Sequence, residues 1–277
     1  MNYTLLYYIR KHAVMAAAAF AALSFSACDE VDEADRFIEL PKLETSRNIL
    51  VEEFTGQQCT NCPDAHRALA GLSELHGSNM IVVGIHAGSF GIAEGLSPTI
   101  TGLMQPEGNE YANHWGNLDG IGYPIAVINR RGGAIPFNSG AWPATIRTEL
   151  TRKAQLDIEL SARINASNEI EVNTTLKSYA DINAKLQLWV VEDNISAFQY
   201  DNGKVILDYK HNHVYRASIN GTWGEDVALK DQGTLNKTAT IKVRDNWNTD
   251  NLHIVAFVYS DAEGVMQAQK TKAIRKI

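Results

Sequence analysis

The chain has 277 residues, 45% of them hydrophobic, enough for two ordinary domains that each bury a core, so disorder is not the default. Lys and Arg total 25 against 32 Asp and Glu, a formal net charge of −7. Such an acidic chain offers a nucleic-acid backbone no cationic footing and no basic run for an anionic membrane surface, which excludes nucleic acid as a partner.

Residues 13–27 form an apolar block behind Arg10 and Lys11. The block is shorter than the roughly 20 residues a bilayer span needs and has the features of the hydrophobic region of an export signal. Ser26 and Ala27 followed by Cys28 resemble a lipobox, where a signal peptidase cuts before a cysteine that becomes diacylglyceryl-modified; Phe25 stands where Leu is usual. The resemblance implies a signal peptide over 1–27, lipidation at Cys28 and the membrane as a partner. A different reading makes Cys28 merely the end of an ordinary leader. Several acyl chains would anchor stably, since each buried methylene contributes about 0.8 kcal/mol and one chain alone is marginal. Residues 28–47 open with Asp29-Glu30-Val31-Asp32-Glu33-Ala34-Asp35, an acidic stretch poor in core formers that suits a solvated tether. It also resembles the acidic signal that sends Bacteroidetes-type lipoproteins to the cell surface, so the expected location is the outer membrane, facing outward.

Ile49 to Phe54 is a β-prone run that stops at Thr55-Gly56, and Ala65, Ala68, Leu69, Leu72 and Leu75 then recur with a helical period up to Gly77. Met80 to Ile85 is continuously apolar, as a strand covered on both faces of a parallel sheet would be. Strand, helix and strand make a βαβ start. Residues 88–123, rich in Gly, Asn and Pro with a short helix near Glu107 to Trp115, are too long for an ordinary connection and suit a functional loop or cap. A strand from Pro124 to Asn129, a turn at Gly132-Gly133 and a helix from Trp142 to Lys153 complete an α/β domain over 48–153. Beyond Gln155 the apolar period becomes two, at Leu156, Ile158 and Leu160, at Leu186, Leu188 and Val190, and again at Leu252, Ile254 and Ala256. Short strands between Asn, Asp and Gly turns predict an antiparallel, immunoglobulin-like β-sandwich over 154–277.

The chemistry-bearing feature is Cys59-Thr60-Asn61-Cys62, placed after a buried strand at the first turn of a helix. Helix-start amides and the positive end of the helix dipole stabilise a thiolate, which makes Cys59 the candidate nucleophile and Cys62, one turn on, the resolving thiol. Pro63 suits an early helical position, where its missing N–H is not needed. Val51 to Pro63, together with Gly122-Tyr123-Pro124 leading into the next strand, resembles thioredoxin-like proteins over residues 48–153. That resemblance implies a cis proline at Pro124, against about 5 to 6% of X-Pro bonds in general, with Tyr123 and Pro124 beside an extended peptide substrate. It also implies a buried proton acceptor at Glu53, with a raised pKa, unless Glu52 is the residue that faces inward. The tryptophan usual before the first cysteine is Gln58 here, and no Lys or Arg lies between the cysteines. A catalytic pair, a static disulfide and a metal site are all open uses of Cys59 and Cys62.

His211-Asn212-His213, if on a strand, would put two imidazoles on one face, but no third ligand is near in sequence, and no metal or cofactor is expected. His66, His86 and His114-Trp115 suit helix-face or packing positions better than catalytic ones. The acidic tether, Val51-Glu52-Glu53-Phe54-Thr55-Gly56, the cysteine pair, the Val127 to Arg130 strand end and His211 to His213 together resemble the 28 kDa outer membrane lipoprotein family of Bacteroidetes. Two functions follow. One is thiol-disulfide exchange with protein or peptide substrates; the other is a surface adhesin or ligand-binding protein in which the disulfide is only structural.

Overall fold

β1 (Ile49–Thr55) is buried at every position and is followed by α1 (Cys62–His76), which crosses over to β2 (Met80–His86), also wholly buried and parallel to β1. The computed structural model that shows this describes residues 47–272 and 274–276; the leader, Cys28 and the tether before Arg47 lie outside the described residues. The parallel pair needs a crossover, and α1 supplies it by burying Ala65 and Leu69 against Ile49, Val51, Met80 and Val82. α2 (Pro106–His114) and α3 (Leu118–Ile121) precede β3 (Ile125–Ile128), which pairs antiparallel to β1. The chain then reverses into β4 (Arg131–Pro136) through Asn129 and Arg130, both at φ 51°, the left-handed pair a two-residue hairpin loop requires. The turn expected at Gly132-Gly133 is therefore inside β4. Asn129 holds the reversal by accepting from the Leu50 amide and donating to Glu149 of α4 (Trp142–Leu150), a helix that ends before Lys153.

The remainder is β5 (Leu156–Ile164), β6 (Glu169–Ser178), β7 (Ile182–Glu192), β8 (Ile195–Asp201), β9 (Lys204–His211), β10 (Val214–Ser218), β11 (Glu225–Leu229), β12 (Thr234–Lys242), β13 (Leu252–Ser260), β14 (Gly264–Lys270) and β15 (Arg275–Lys276). The chain is thus an α/β part followed by an all-β part, and one sheet runs through both. Its order is β14-β13-β7-β10-β2-β1-β3-β4, with β11 on the side of β7. The join is narrow: Val214 pairs with Gly84, and the Gly84 amide donates to the His213 carbonyl at 2.8 Å.

Strand alternation then assigns the faces. Leu186, Leu188 and Val190 of β7 pack with Ile158, Val172 and Leu176 of the second sheet, ordered β12-β6-β5-β15. On the opposite face of β7, Trp189 and Val191 share a core with Phe54, Ile85, Val127 and Phe257. Residues 88–123 are more than a loop, because α2 covers this shared face. Tyr111 of α2 is fully buried, its ring 5.1 Å from Trp189 and its hydroxyl accepting from Trp189 Nε1 at 3.0 Å.

Candidate functional site

Cys59 and Cys62 form a disulfide at the start of α1, with Cα atoms 5.4 Å apart. The approach to it depends on Gly56. A Cβ there would lie 2.4 Å from the Phe90 carbonyl carbon and oxygen, so only glycine lets the end of β1 pass this backbone, and the Gln58 amide then donates to Phe90 O at 3.0 Å. Gln57, fully buried, fastens the loop to residues 88–123 by donating to Thr101 O and accepting from the Leu103 amide. Tyr123 packs in the same core cluster as both cysteines, 5.4 Å from the Phe90 ring, and the Tyr123–Pro124 bond is cis.

The disulfide is covered. Cys59 is 2% exposed and Cys62 0%. The cover is the tip of the β8–β9 hairpin, which the sequence reading did not place. Gln199 donates to Gly56 O at 3.1 Å and Cys59 O at 2.9 Å; the Tyr200 amide donates to Gln57 O, the Asn202 amide to Thr60 O and the Gly203 amide to the Thr60 hydroxyl. Asn202 and Gly203 both have positive φ and form the two-residue loop. That Asn-Gly pair between β-prone residues was a legible hairpin signal, but nothing local says where its tip docks. Gln199→Ala is expected to speed reduction of the disulfide by dithiothreitol about thirtyfold, because two hydrogen bonds worth about 1 kcal/mol each are lost. Alkylation of free thiols during reduction checks this, and an unchanged rate would show that the tip does not limit access.

Both acids of β1 are buried, on opposite faces. Glu52 faces the shared core and pairs with Arg130 at 2.6 Å. Glu53 faces α1, 3.3 Å from His66 Nε2, and its Oε1 has no hydrogen-bond partner. Burial pushes the Glu53 carboxyl up to about 8. His66 accepts or donates at Nε2 with the Thr55 hydroxyl at 3.1 Å and at Nδ1 with the Tyr209 hydroxyl at 2.8 Å. His211 and His213 do not share a strand face: His211 ends β9 and packs edge-on against His86 at 5.3 Å, whereas His213, at φ 58° in the turn, pairs with Asp193 at 2.8 Å. Burial lowers the pKa of His66, His86 and His211 and keeps the three imidazoles neutral near pH 7.

The sequence pattern of the outer membrane protein Omp28 family matches residues 109–276, more than half of the chain. The chain belongs to the Omp28 family. Its location is accordingly the outer membrane, although among the described residues no helix is long and apolar enough to cross a membrane. The match begins within α2, so Omp28 membership by itself says nothing of the cysteine pair. Among solved structures, HBP35 of Porphyromonas gingivalis is similar over 83% of this chain and 76% of that one, with a TM-score of 0.65 and 15% identity, a likeness of fold. A domain of the outer membrane lipoprotein Omp28 from the same organism matches 46% of this chain and 93% of that one, with 20% identity and a TM-score of 0.33. No curated protein matches the chain.

Proposed function

We propose that this Omp28-family protein is a lipoprotein, anchored through acylated Cys28 and exposed at the cell surface, that exchanges disulfides with protein or peptide substrates. In this reading the α/β part is a thioredoxin-like domain and the β part an immunoglobulin-like sandwich. Cys59 attacks, Cys62 resolves, Glu53 takes the proton of the resolving thiol, and Tyr123 and Pro124 sit beside the substrate backbone. The observation that carries the proposal is Glu53. A buried carboxyl whose Oε1 has no hydrogen bond costs stability, and a static disulfide has no use for it, whereas an acid poised near neutrality suits proton transfer. The cis bond at Pro124 and the position of the pair at the start of α1 agree with it.

A second reading, the surface adhesin or binding protein with a structural disulfide, is favoured by the burial of both cysteines. An attacking thiolate must reach a sulfur, and the hairpin tip stands in the way. Exchange therefore requires the tip, Gln199 to Lys204, to move aside while the base of the hairpin stays docked. Equilibrating the full-length protein in glutathione buffers and trapping free thiols decides between the two. A potential above about −250 mV with exchange under native conditions is the expected result; one below about −300 mV, with exchange only on unfolding, would establish the structural disulfide.

A further inference from the structure

On the α1 side of the sheet lies a cavity of about 240 Å³ lined by Glu53, Thr55, His66, His86, Tyr209 and His211, among others. Three of its polar atoms, Glu53 Oε1, His86 Nδ1 and His211 Nε2, are buried without a hydrogen-bond partner. Orphaned atoms of this kind call for an explanation. Among the described residues no three His, Cys, Asp or Glu side chains converge as metal ligands do. Glu53 lines the cavity itself, but its side chain is only 4% exposed, and beside its Oε1 stands the more open imidazole of His66, 20% exposed, with Nε2 at 3.3 Å and with Nδ1 hydrogen-bonded to the Tyr209 hydroxyl.

We propose that His66 is the positioning residue that unloads the Glu53 proton, receiving it at Nε2 and releasing one from Nδ1 toward the Tyr209 hydroxyl and the cavity. The inference rests on the exchange reading, and the chemistry is as follows. The Cys59 thiolate attacks a substrate disulfide, forming a mixed disulfide and releasing one substrate sulfur as a thiolate. The Cys62 thiol gives its proton to the Glu53 carboxylate, and the Cys62 thiolate attacks Cys59 Sγ. The mixed disulfide breaks, and the second substrate sulfur leaves as a thiolate that solvent protonates. Two electrons have passed from the protein dithiol to the substrate. Burial holds Glu53 protonated near neutral pH, so it must lose that proton before it can take one from Cys62, and the cavity side of His66 is its way out.

The groups facing His66 are Glu53 from β1, His86 from β2, Arg67 from its own helix, Asp201 from β8, and Tyr209, Lys210, His211 and His213 from β9 and the turn after it. Burial dominates and favours the neutral ring, the nearby histidines and Arg67 act the same way, and Asp201 opposes them. A neutral imidazole accepts at one nitrogen while donating at the other, which is what a relay requires. Tyr209 lies at the base of the hairpin, where Ala197 pairs with it, so displacing the tip leaves this arrangement in place.

The test follows the reduced full-length protein, in detergent, after mixing with oxidised glutathione between pH 5 and 9. Acid quenching and mass spectrometry count the mixed disulfide and the re-formed Cys59–Cys62 pair. His66→Gln, which keeps a polar side chain but cannot relay, is expected to form the mixed disulfide at the wild-type rate and to resolve it about tenfold more slowly at pH 7, with the deficit closing by pH 9 as Cys62 ionises unaided. Should that variant not fold, Tyr209→Phe, which removes one hydroxyl, is expected to slow resolution about threefold. Wild-type resolution across the pH range in either variant, with Glu53→Gln slow, overturns the relay alone. Wild-type resolution in Glu53→Gln overturns the role of Glu53 and the relay with it, and no mixed disulfide in the wild type overturns the exchange reading as a whole.

Discussion

Glu53→Gln is expected to make the protein more stable than the wild type at pH 8 while slowing its exchange. The carboxyl is held at about 8 in the folded protein, against an ordinary value of 4.5, by burial. Between those two values the folded state keeps a proton that the unfolded chain releases, so the contribution of Glu53 is favourable at low pH and is lost as pH rises toward 8. Each pH unit crossed costs about 1.4 kcal/mol, which accumulates to several kcal/mol by pH 8. Glutamine has the shape of the protonated acid and does not titrate, so it removes the penalty. Urea unfolding at pH 5, 6.5 and 8 checks this: the advantage of the variant should be small at pH 5 and grow with pH. A difference that does not change with pH would mean that the carboxyl is not held protonated. Gain of stability with loss of exchange is the pattern expected where a strained group serves a function.

Arg130→Ala is expected to destabilise the fold by about 3 to 5 kcal/mol, because it leaves the Glu52 charge buried without its partner. The guanidinium meets Glu52 at 2.6 Å and lies 4.3 Å from the Tyr259 ring centroid and 4.8 Å from that of Phe257. Glu52 and Arg130 come from the α/β part and the two aromatic rings from the β part, so the pair binds the two segments across their shared core. Arg130→Lys is not conservative here, since an ammonium loses both the planar stacking and the fork geometry. Replacing both partners together, Glu52→Leu with Arg130→Met, should recover most of the loss by removing the charge along with its counter-ion. Chemical denaturation of the single and double variants measures this. A single-variant loss below about 1 kcal/mol would show that water reaches Glu52 and screens it.

The features that depend on local chain chemistry were legible in the residues alone. Ile49 to Phe54 is β-prone and Met80 to Ile85 continuously apolar, as strands covered on both faces can be, and the period of Ala65, Leu69 and Leu72 matches one side of α1. The Cys59 to Cys62 spacing at the head of that helix was legible for the same reason, whereas the cis bond before Pro124 was implied by the resemblance alone. Where both faces of a strand are buried, alternation loses its power to say which side matters. The resemblance named Glu53 as the buried acid with Glu52 as the alternative, and packing buries both, sending Glu53 to His66 and Glu52 to Arg130. The reversal between β3 and β4 was misplaced because two glycines outweighed Asn129-Arg130 as a turn signal, although Asn129 is anchored by contacts to Leu50 and Glu149 that are remote in sequence. The hairpin of residues 195–211 shows the division most sharply. Its Asn202-Gly203 turn is written in the chain, but its docking on the disulfide depends on a single parallel pairing of Val214 with Gly84 and on Gln199 meeting Cys59 across 140 residues. Local sequence determined the elements and the reactive pair; long-range packing, which no local period encodes, decided that the pair is covered and which acid lies beside the histidine.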